Sequence, residues 1–271
     1  MSDIFFITGH GRSGTTAIAR ILNTATNAEV FVEQPPKLTI ESRQLYDGIL
    51  KDPEKILFES KNQCIQEVLN KGLKYGDKNL TYVTFIPYLL KLWNCKIIFL
   101  IRDGRDVVRS SIDFHNLHSK NIYAMAEDEE GSPKTLPDHD PWDYSRLRPL
   151  PNDPVYSRWK QLPRFQKVAW KWSKINEIAL NYLADVSQEK WMLVDMSSVT
   201  VDTIKELFDF LGLTGFDREL IDRMLNKKIN SLFEKTKKQS EFPHWNQWDT
   251  RTIEEFNEFA RDMMKKLGYK L

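Results

Sequence analysis

Ile4-Phe5-Phe6-Ile7-Thr8 runs into Gly9-His10-Gly11-Arg12-Ser13-Gly14-Thr15-Thr16 and then into Ala17-Ile18-Ala19-Arg20-Ile21-Leu22. An apolar run broken by glycines and followed by apolar residues at helical spacing reads as strand, loop and helix. Glycines at 9 and 14 permit a tight backbone turn, and the start of the following helix offers unpaired N–H groups and a positive dipole end to an anion. A phosphorylated ligand is therefore expected there. A nucleoside-triphosphate loop reads G-x-x-x-x-G-K-[ST], its lysine reaching the outer phosphates and its hydroxyl holding magnesium. Here Thr15 takes the lysine position. The cation has moved to Arg12, inside the loop, where a planar guanidinium can engage anionic oxygens bidentately. A different anion is implied.

A second element has the same character. Lys96-Ile97-Ile98-Phe99-Leu100-Ile101 reads as a buried strand ending in Arg102, and Ser110 follows eight residues on. Taken alone, Asp103 could be the magnesium-holding aspartate of a phosphoryl-transfer enzyme, and Arg102, Arg105 and Arg109 could form an ordinary solvated helix face. Taken with the first loop, in this order and at these spacings, the pair resembles the sulfotransferases. The G-x-x-[RK]-S-G-T-T loop resembles their 5'-phosphosulfate loop, and the strand ending in Arg, with Ser eight residues on, resembles their 3'-phosphate element. The resemblance implies the donor 3'-phosphoadenosine 5'-phosphosulfate (PAPS). It would be bound by Gly11, Arg12, Ser13, Gly14, Thr15 and Thr16 at one end, and by Arg102 and Ser110 at the other.

Further roles follow from the resemblance, position by position. Arg12 would stabilise the leaving group and the sulfate. Lys78, in Tyr75-Gly76-Asp77-Lys78-Asn79, looks like the Asp-Lys segment of bacterial sulfotransferases and the Lys segment of tyrosylprotein sulfotransferases. The family often continues with Thr-Pro or Asp-Pro, whereas this chain has Asn79-Leu80. Glu33, in Val30-Phe31-Val32-Glu33-Gln34-Pro35-Pro36, lies at a remove from the loop arginine similar to that of the tyrosylprotein enzymes' glutamate base. Its apolar neighbours and proline pair suit a partly desolvated carboxylate, which makes a better base. Asp77 is a second carboxylate candidate, or else a partner for Lys78. The Lys-x-His segment of cytosolic sulfotransferases is missing, although His10, His115 and His118 remain candidates for contacts with donor or acceptor. The family often places a basic C-terminal loop over the 3'-phosphate. Here that role would fall to Lys235, Lys237 and Lys238, although a charge run is usually solvated surface.

Composition bounds the remainder. The chain has 271 residues, 41% of them hydrophobic, enough for one large core and a single domain over 1–271. A formal net charge of +1 argues against a general nucleic-acid binder. No run is apolar enough to span a membrane, and the first strand begins too early for a leader or stem, so a soluble protein is expected. Cys64 and Cys95 have neither metal spacing nor a framework of pairs, which suits reduced thiols in the cytoplasm. No metal site is expected.

The expected fold is α/β, a P-loop-type doubly wound parallel sheet flanked by helices. Strands are read at Ile4 to Thr8, Lys96 to Ile101 and Trp191 to Val194, with a weaker one ending near Asp77. Helical spacing covers Leu38 to Leu50, Asn62 to Leu73, Tyr82 to Trp93, Phe165 to Leu183, Thr203 to Leu211 and Ile253 to Leu267, with Gly268 as a stop. The stretch 116–163 is rich in Pro, Asp and Arg, carries Trp142, Tyr144, Tyr156 and Trp159 and lacks periodicity. It reads as a long insertion forming an acceptor-side lid, its aromatics either packing it onto the body or shaping the acceptor pocket.

The function expected is PAPS-dependent transfer of a sulfuryl group to a hydroxyl of a carbohydrate, glycolipid or other small molecule. Alternatives are tyrosine O-sulfation of a peptide, which Arg146, Arg148 and Arg158 could serve, a magnesium-dependent P-loop kinase, and a noncatalytic nucleotide-binding module.

Overall fold

The computed structural model of the chain describes residues 2–117, 122–124, 126–128, 141–227 and 242–271. Close contacts gather the chain into two compact units, Met1–Leu38 with Leu50–Arg102 and Ile178–Ser231, and Thr39–Ile49 with Asp103–Glu177 and Leu232–Leu271.

The first unit holds a five-stranded parallel sheet of β1 (Ile4–Gly9), β2 (Ala28–Val32), β3 (Lys74–Lys78), β4 (Cys95–Ile101) and β5 (Trp191–Asp195), in the order β2-β3-β1-β4-β5. All six residues of β1 are buried, as a central parallel strand with both faces covered requires. The pleat divides them. Phe5 and Ile7 join Ile98, Leu100 and Val194 in a cluster with α1 (Thr15–Leu22), α8 (Val201–Leu211) and α9 (Arg218–Asn226). Phe6 points the other way, its ring 5.1 Å from Tyr82 and 5.8 Å from Trp93. That face is covered by α3 (Pro53–Leu69) and α4 (Tyr82–Leu92). The sheet is therefore doubly wound, as expected. Strand order reverses about β1, so the crevice for a ligand opens beyond the carboxyl ends of β1 and its neighbours.

Two differences from the sequence reading have physical causes. The strand β2 has no counterpart in that reading, because it is an edge strand in which only Val30 is buried. The helix expected over Asn62 to Leu73 is α3, which begins at Pro53 and ends at Leu69. Its inward positions are Leu57, Lys61, Ile65 and Val68. A lysine in that row interrupts the apolar stripe and hides the first half of the helix from a pattern search.

The second unit contains α2 (Thr39–Tyr46), α5 (Gly104–Leu117), the short α6 (Pro141–Tyr144), most of α7 (Arg164–Leu183) and a C-terminal helix, Thr250–Lys266. The described part of the expected insertion is organised around buried charge. Arg148 donates from Nε and Nη2 to the two oxygens of Asp128 at 2.9 and 2.7 Å. Trp159 Nε1 donates to Asp128 Oδ1 at 2.9 Å and Lys167 Nζ to the Asp128 carbonyl at 2.6 Å. Tyr123 and Trp170 pack edge-on against Trp159 at 5.1 and 5.2 Å. Trp159 is thus spent on packing inside this unit.

Lys171, partly buried on α7, is held down to a pKa of about 7, first by burial and then by Arg146, with Asp143 acting in the opposite sense. Below that value the folded protein must charge a desolvated amine. Between about 7 and the ordinary lysine value of 10.5 the unfolded chain alone carries the proton, so stability should rise with pH. Lys171→Met is expected to unfold at higher denaturant than wild type near pH 7. That advantage should shrink by at most about 1.4 kcal/mol per pH unit up to pH 10. Guanidinium midpoints that keep a constant offset across this range would refute the assignment.

Candidate active site

The loop after β1 turns on Gly14, whose φ of 81° is left-handed, and on Arg12, left-handed at φ 73° without being a glycine. A Cβ at Gly14 would also meet Met196 Cε at 2.7 Å, so glycine is required twice over. The turn leaves polar groups without partners. The N–H groups of Gly14, Thr15 and Thr16 meet no backbone acceptor among the described residues. Ser13 Oγ, at 1% exposure, has no hydrogen-bond partner among the described residues either. A buried hydroxyl and a helix N-terminus with open donors fit an anion.

Arg102 emerges from β4, which pairs with β1 up to Gly9 opposite Leu100. Its Nη1 donates to the Arg12 carbonyl at 3.3 Å. The two elements read separately from the sequence therefore meet. Ser110 lies on α5, in the second unit. In that unit Asp103 accepts from Arg105 Nε at 3.0 Å and Nη2 at 2.6 Å. Lys235, Lys237, Lys238 and His118 lie outside the described residues.

Glu33 and Lys78 are brought together. Val32, the last residue of β2, is in register with Lys78, the last of β3. The Glu33 N–H continues the ladder to the Lys78 carbonyl at 2.7 Å, and Lys78 Nζ donates to Glu33 Oε1 at 2.7 Å. Lys37 stands 3.7 Å from Glu33 Oε2. The apolar flank does not enclose this carboxylate, because Val32 is exposed; two ammonium groups surround it instead. Glu33 is also left-handed, at φ 57°. Lys78 ends β3 and leads into the segment that borders the loop, where a Cβ on Gly11 would lie 3.4 Å from Leu80 Cδ1. Arg12, Glu33, Lys78 and Arg102 all belong to the first unit.

Asp77 does not hold Lys78. Adjacent residues of a strand point to opposite faces. Asp77 is fully buried, accepts from the Tyr82 hydroxyl and from the Gln34 N–H at 3.3 Å, and faces Lys61 Nζ at 3.5 Å. Burial pushes the Asp77 carboxyl up and the Lys61 ammonium down. His10 is buried, with Nδ1 2.5 Å from the Gly11 carbonyl, and His115 Nε2 lies 3.0 Å from Arg146 Nη2. Sequence reasoning missed Lys61, whose only local signal is a cation at an inward helical position.

A family model described as the sulfotransferase domain matches residues 2–267. The chain belongs to the sulfotransferase family. Solved structures agree on the fold. A sulfotransferase domain from the curacin biosynthetic pathway matches at a TM-score of 0.52 and 16% identity, covering 100% of this chain and 99% of that one. Mouse sulfotransferase SULT7A1, complexed with PAP, matches at 0.51 and 16%, over 97% and 85% of the two chains. Sulfotransferase STF9 from Mycobacterium avium matches at 0.50 and 12%, over 100% and 78%. No curated protein sequence matches. Among the described residues of this sulfotransferase, no helix is long and apolar enough to cross a membrane.

Proposed function

We propose that this sulfotransferase takes PAPS as donor and passes its sulfuryl group to a hydroxyl of a carbohydrate, glycolipid or other small molecule, releasing adenosine 3',5'-bisphosphate. The observation that carries the donor assignment is the contact of Arg102 Nη1 with the Arg12 carbonyl at 3.3 Å, beside the unpartnered Ser13 Oγ. It joins an anion-binding turn to a second cation at the crevice. Bound there, PAPS would supply an activated sulfuryl group and a stable leaving group. Gly11 to Thr16 would hold its 5' end, and Arg102 its 3'-phosphate.

The chain's own groups would do the rest. The Arg12 guanidinium and the amides opening α1 offset negative charge on the leaving side. Glu33 accepts the acceptor's proton, and Lys78 fixes that carboxylate and offers a cation to the transferred group. Two left-handed residues among the three catalytic candidates support this reading, because such strain gathers at sites where position matters.

A small-molecule acceptor is favoured over an acidic peptide by the state of three arginines. Arg146 is paired with Asp143, Arg148 with Asp128, and Arg158 with Glu258. All would have to exchange partners to meet a peptide. Free Cys64 and Cys95 suit a reducing, cytoplasmic setting.

Calorimetry with adenosine 3',5'-bisphosphate, ADP and ATP, with and without magnesium, tests the donor. Preference for the bisphosphate regardless of magnesium is expected; preference for ATP with magnesium would overturn the reading. Arg102→Ala should weaken bisphosphate binding roughly tenfold to a hundredfold, the equivalent of one charge-assisted pair. Unchanged affinity would remove Arg102 from the site.

A further inference from the structure

Lys61 is fully buried on α3, an expensive place for an amine. Its three donors are directed at one short segment. Nζ donates to the Gln34 carbonyl, to the Pro36 carbonyl at 2.9 Å and to Gln34 Oε1 at 3.4 Å. Asp77, 3.5 Å from that ammonium, takes the Gln34 N–H at 3.3 Å and is itself held by the Tyr82 hydroxyl. One buried cation and one buried anion thus grip a single residue by its carbonyl and its amide, and that residue directly follows Glu33.

The far end of the segment is fixed separately. The Lys37 carbonyl accepts from Asn79 Nδ2 at 2.9 Å and from Thr81 Oγ1 at 3.0 Å. Immediately before these anchors Glu33 keeps a left-handed backbone, which an ordinary residue retains only when its surroundings over-determine it. A buried ion pair is weak grounds for stability, since a well-packed apolar pair of similar volume often does as well. Placement is what this pair supplies and an apolar pair would not.

We infer that Lys61 and Asp77 are positioning residues, a buried clamp on residues 34–36 that sets Glu33 against Lys78. The inference rests on the reading of Glu33 and Lys78 as the reacting pair, but its test does not require turnover.

Lys61→Met in the full chain removes the clamp's cation. Hydrogen exchange read by mass spectrometry should quicken about tenfold in peptides covering residues 33–37, with the core strand β1 unchanged. Acylation of Lys78 by acetic anhydride should rise severalfold, because its Glu33 partner is no longer held. Unchanged exchange and unchanged Lys78 reactivity in a folded variant would overturn the inference, and so would faster exchange throughout the chain, which marks a merely structural role. Where Lys61→Met fails to fold, Lys61→Met with Asp77→Asn removes both charges together and carries the same two readouts. Bisphosphate binding measured in parallel tests the donor reading independently. A clamp result without bisphosphate binding would fail the donor assignment and leave the clamp standing.

Discussion

Arg12→Ala is expected to lower turnover about a hundredfold or more, with a smaller loss in bisphosphate affinity, on the scale of removing one preorganised transition-state donor. The expectation rests on where the residue sits. Arg12 lies between β1 and the open amides of α1, and its carbonyl is the acceptor for Arg102. Its φ of 73° is unfavourable for any residue with a Cβ, so alanine bears a similar backbone cost and the comparison isolates the guanidinium. Arg12→Lys keeps a charge and loses the planar fork, so it should fall between alanine and wild type. Arg12→Gly would relieve the backbone while deleting the side chain; if it matched alanine in turnover, the side chain and not the turn would account for the loss. Turnover of Arg12→Ala within a few-fold of wild type would end its catalytic assignment.

Arg12 was legible because every signal that marks it is local. An apolar run, three glycines and an apolar helix start lie within nineteen residues, from Ile4 to Leu22. Arg102 was legible for a similar reason, as the first charge after the buried run of β4. What escaped was whatever depends on partners distant in sequence. An edge strand with a single buried residue gives β2 no period to read. Lys61 looks like a solvated charge until its contacts with Gln34 and Pro36, twenty-seven and twenty-five residues away, are seen. Asp77 and Lys78 were one motif in the sequence, and the pleat separates them. One serves the buried clamp and the other the carboxylate at the strand ends. In the second unit Arg148 and Asp128, which composition would assign to the surface, form the buried centre of the expected insertion. Charge placed inward by tertiary pairing is hidden from any reading that equates charge with solvent.

Glu33→Gln should cut turnover by about a hundredfold to ten-thousandfold, the range of a positioned general base, while leaving bisphosphate binding near wild type. Glutamine keeps the length and the left-handed backbone cost of the glutamate and an oxygen for Lys78, and loses the negative charge together with the ability to take a proton. Lys78→Met should also be severe, since it removes the ammonium 2.7 Å from Glu33 Oε1 and leaves Lys37, at 3.7 Å, as the other cation on that carboxylate. The decisive variant is the double one. If Lys78 acts largely by fixing Glu33, the two losses should be grossly non-additive, and Glu33→Gln with Lys78→Met should be little worse than the more damaging single change. If the losses multiply, Lys78 works on the transferred group independently of the carboxylate. Turnover of Glu33→Gln within about threefold of wild type would exclude Glu33 as the base, since proton transfer by a positioned side chain is worth at least a hundredfold. With Asp77 committed to Tyr82 and Gln34, neither carboxylate candidate would then remain as the base.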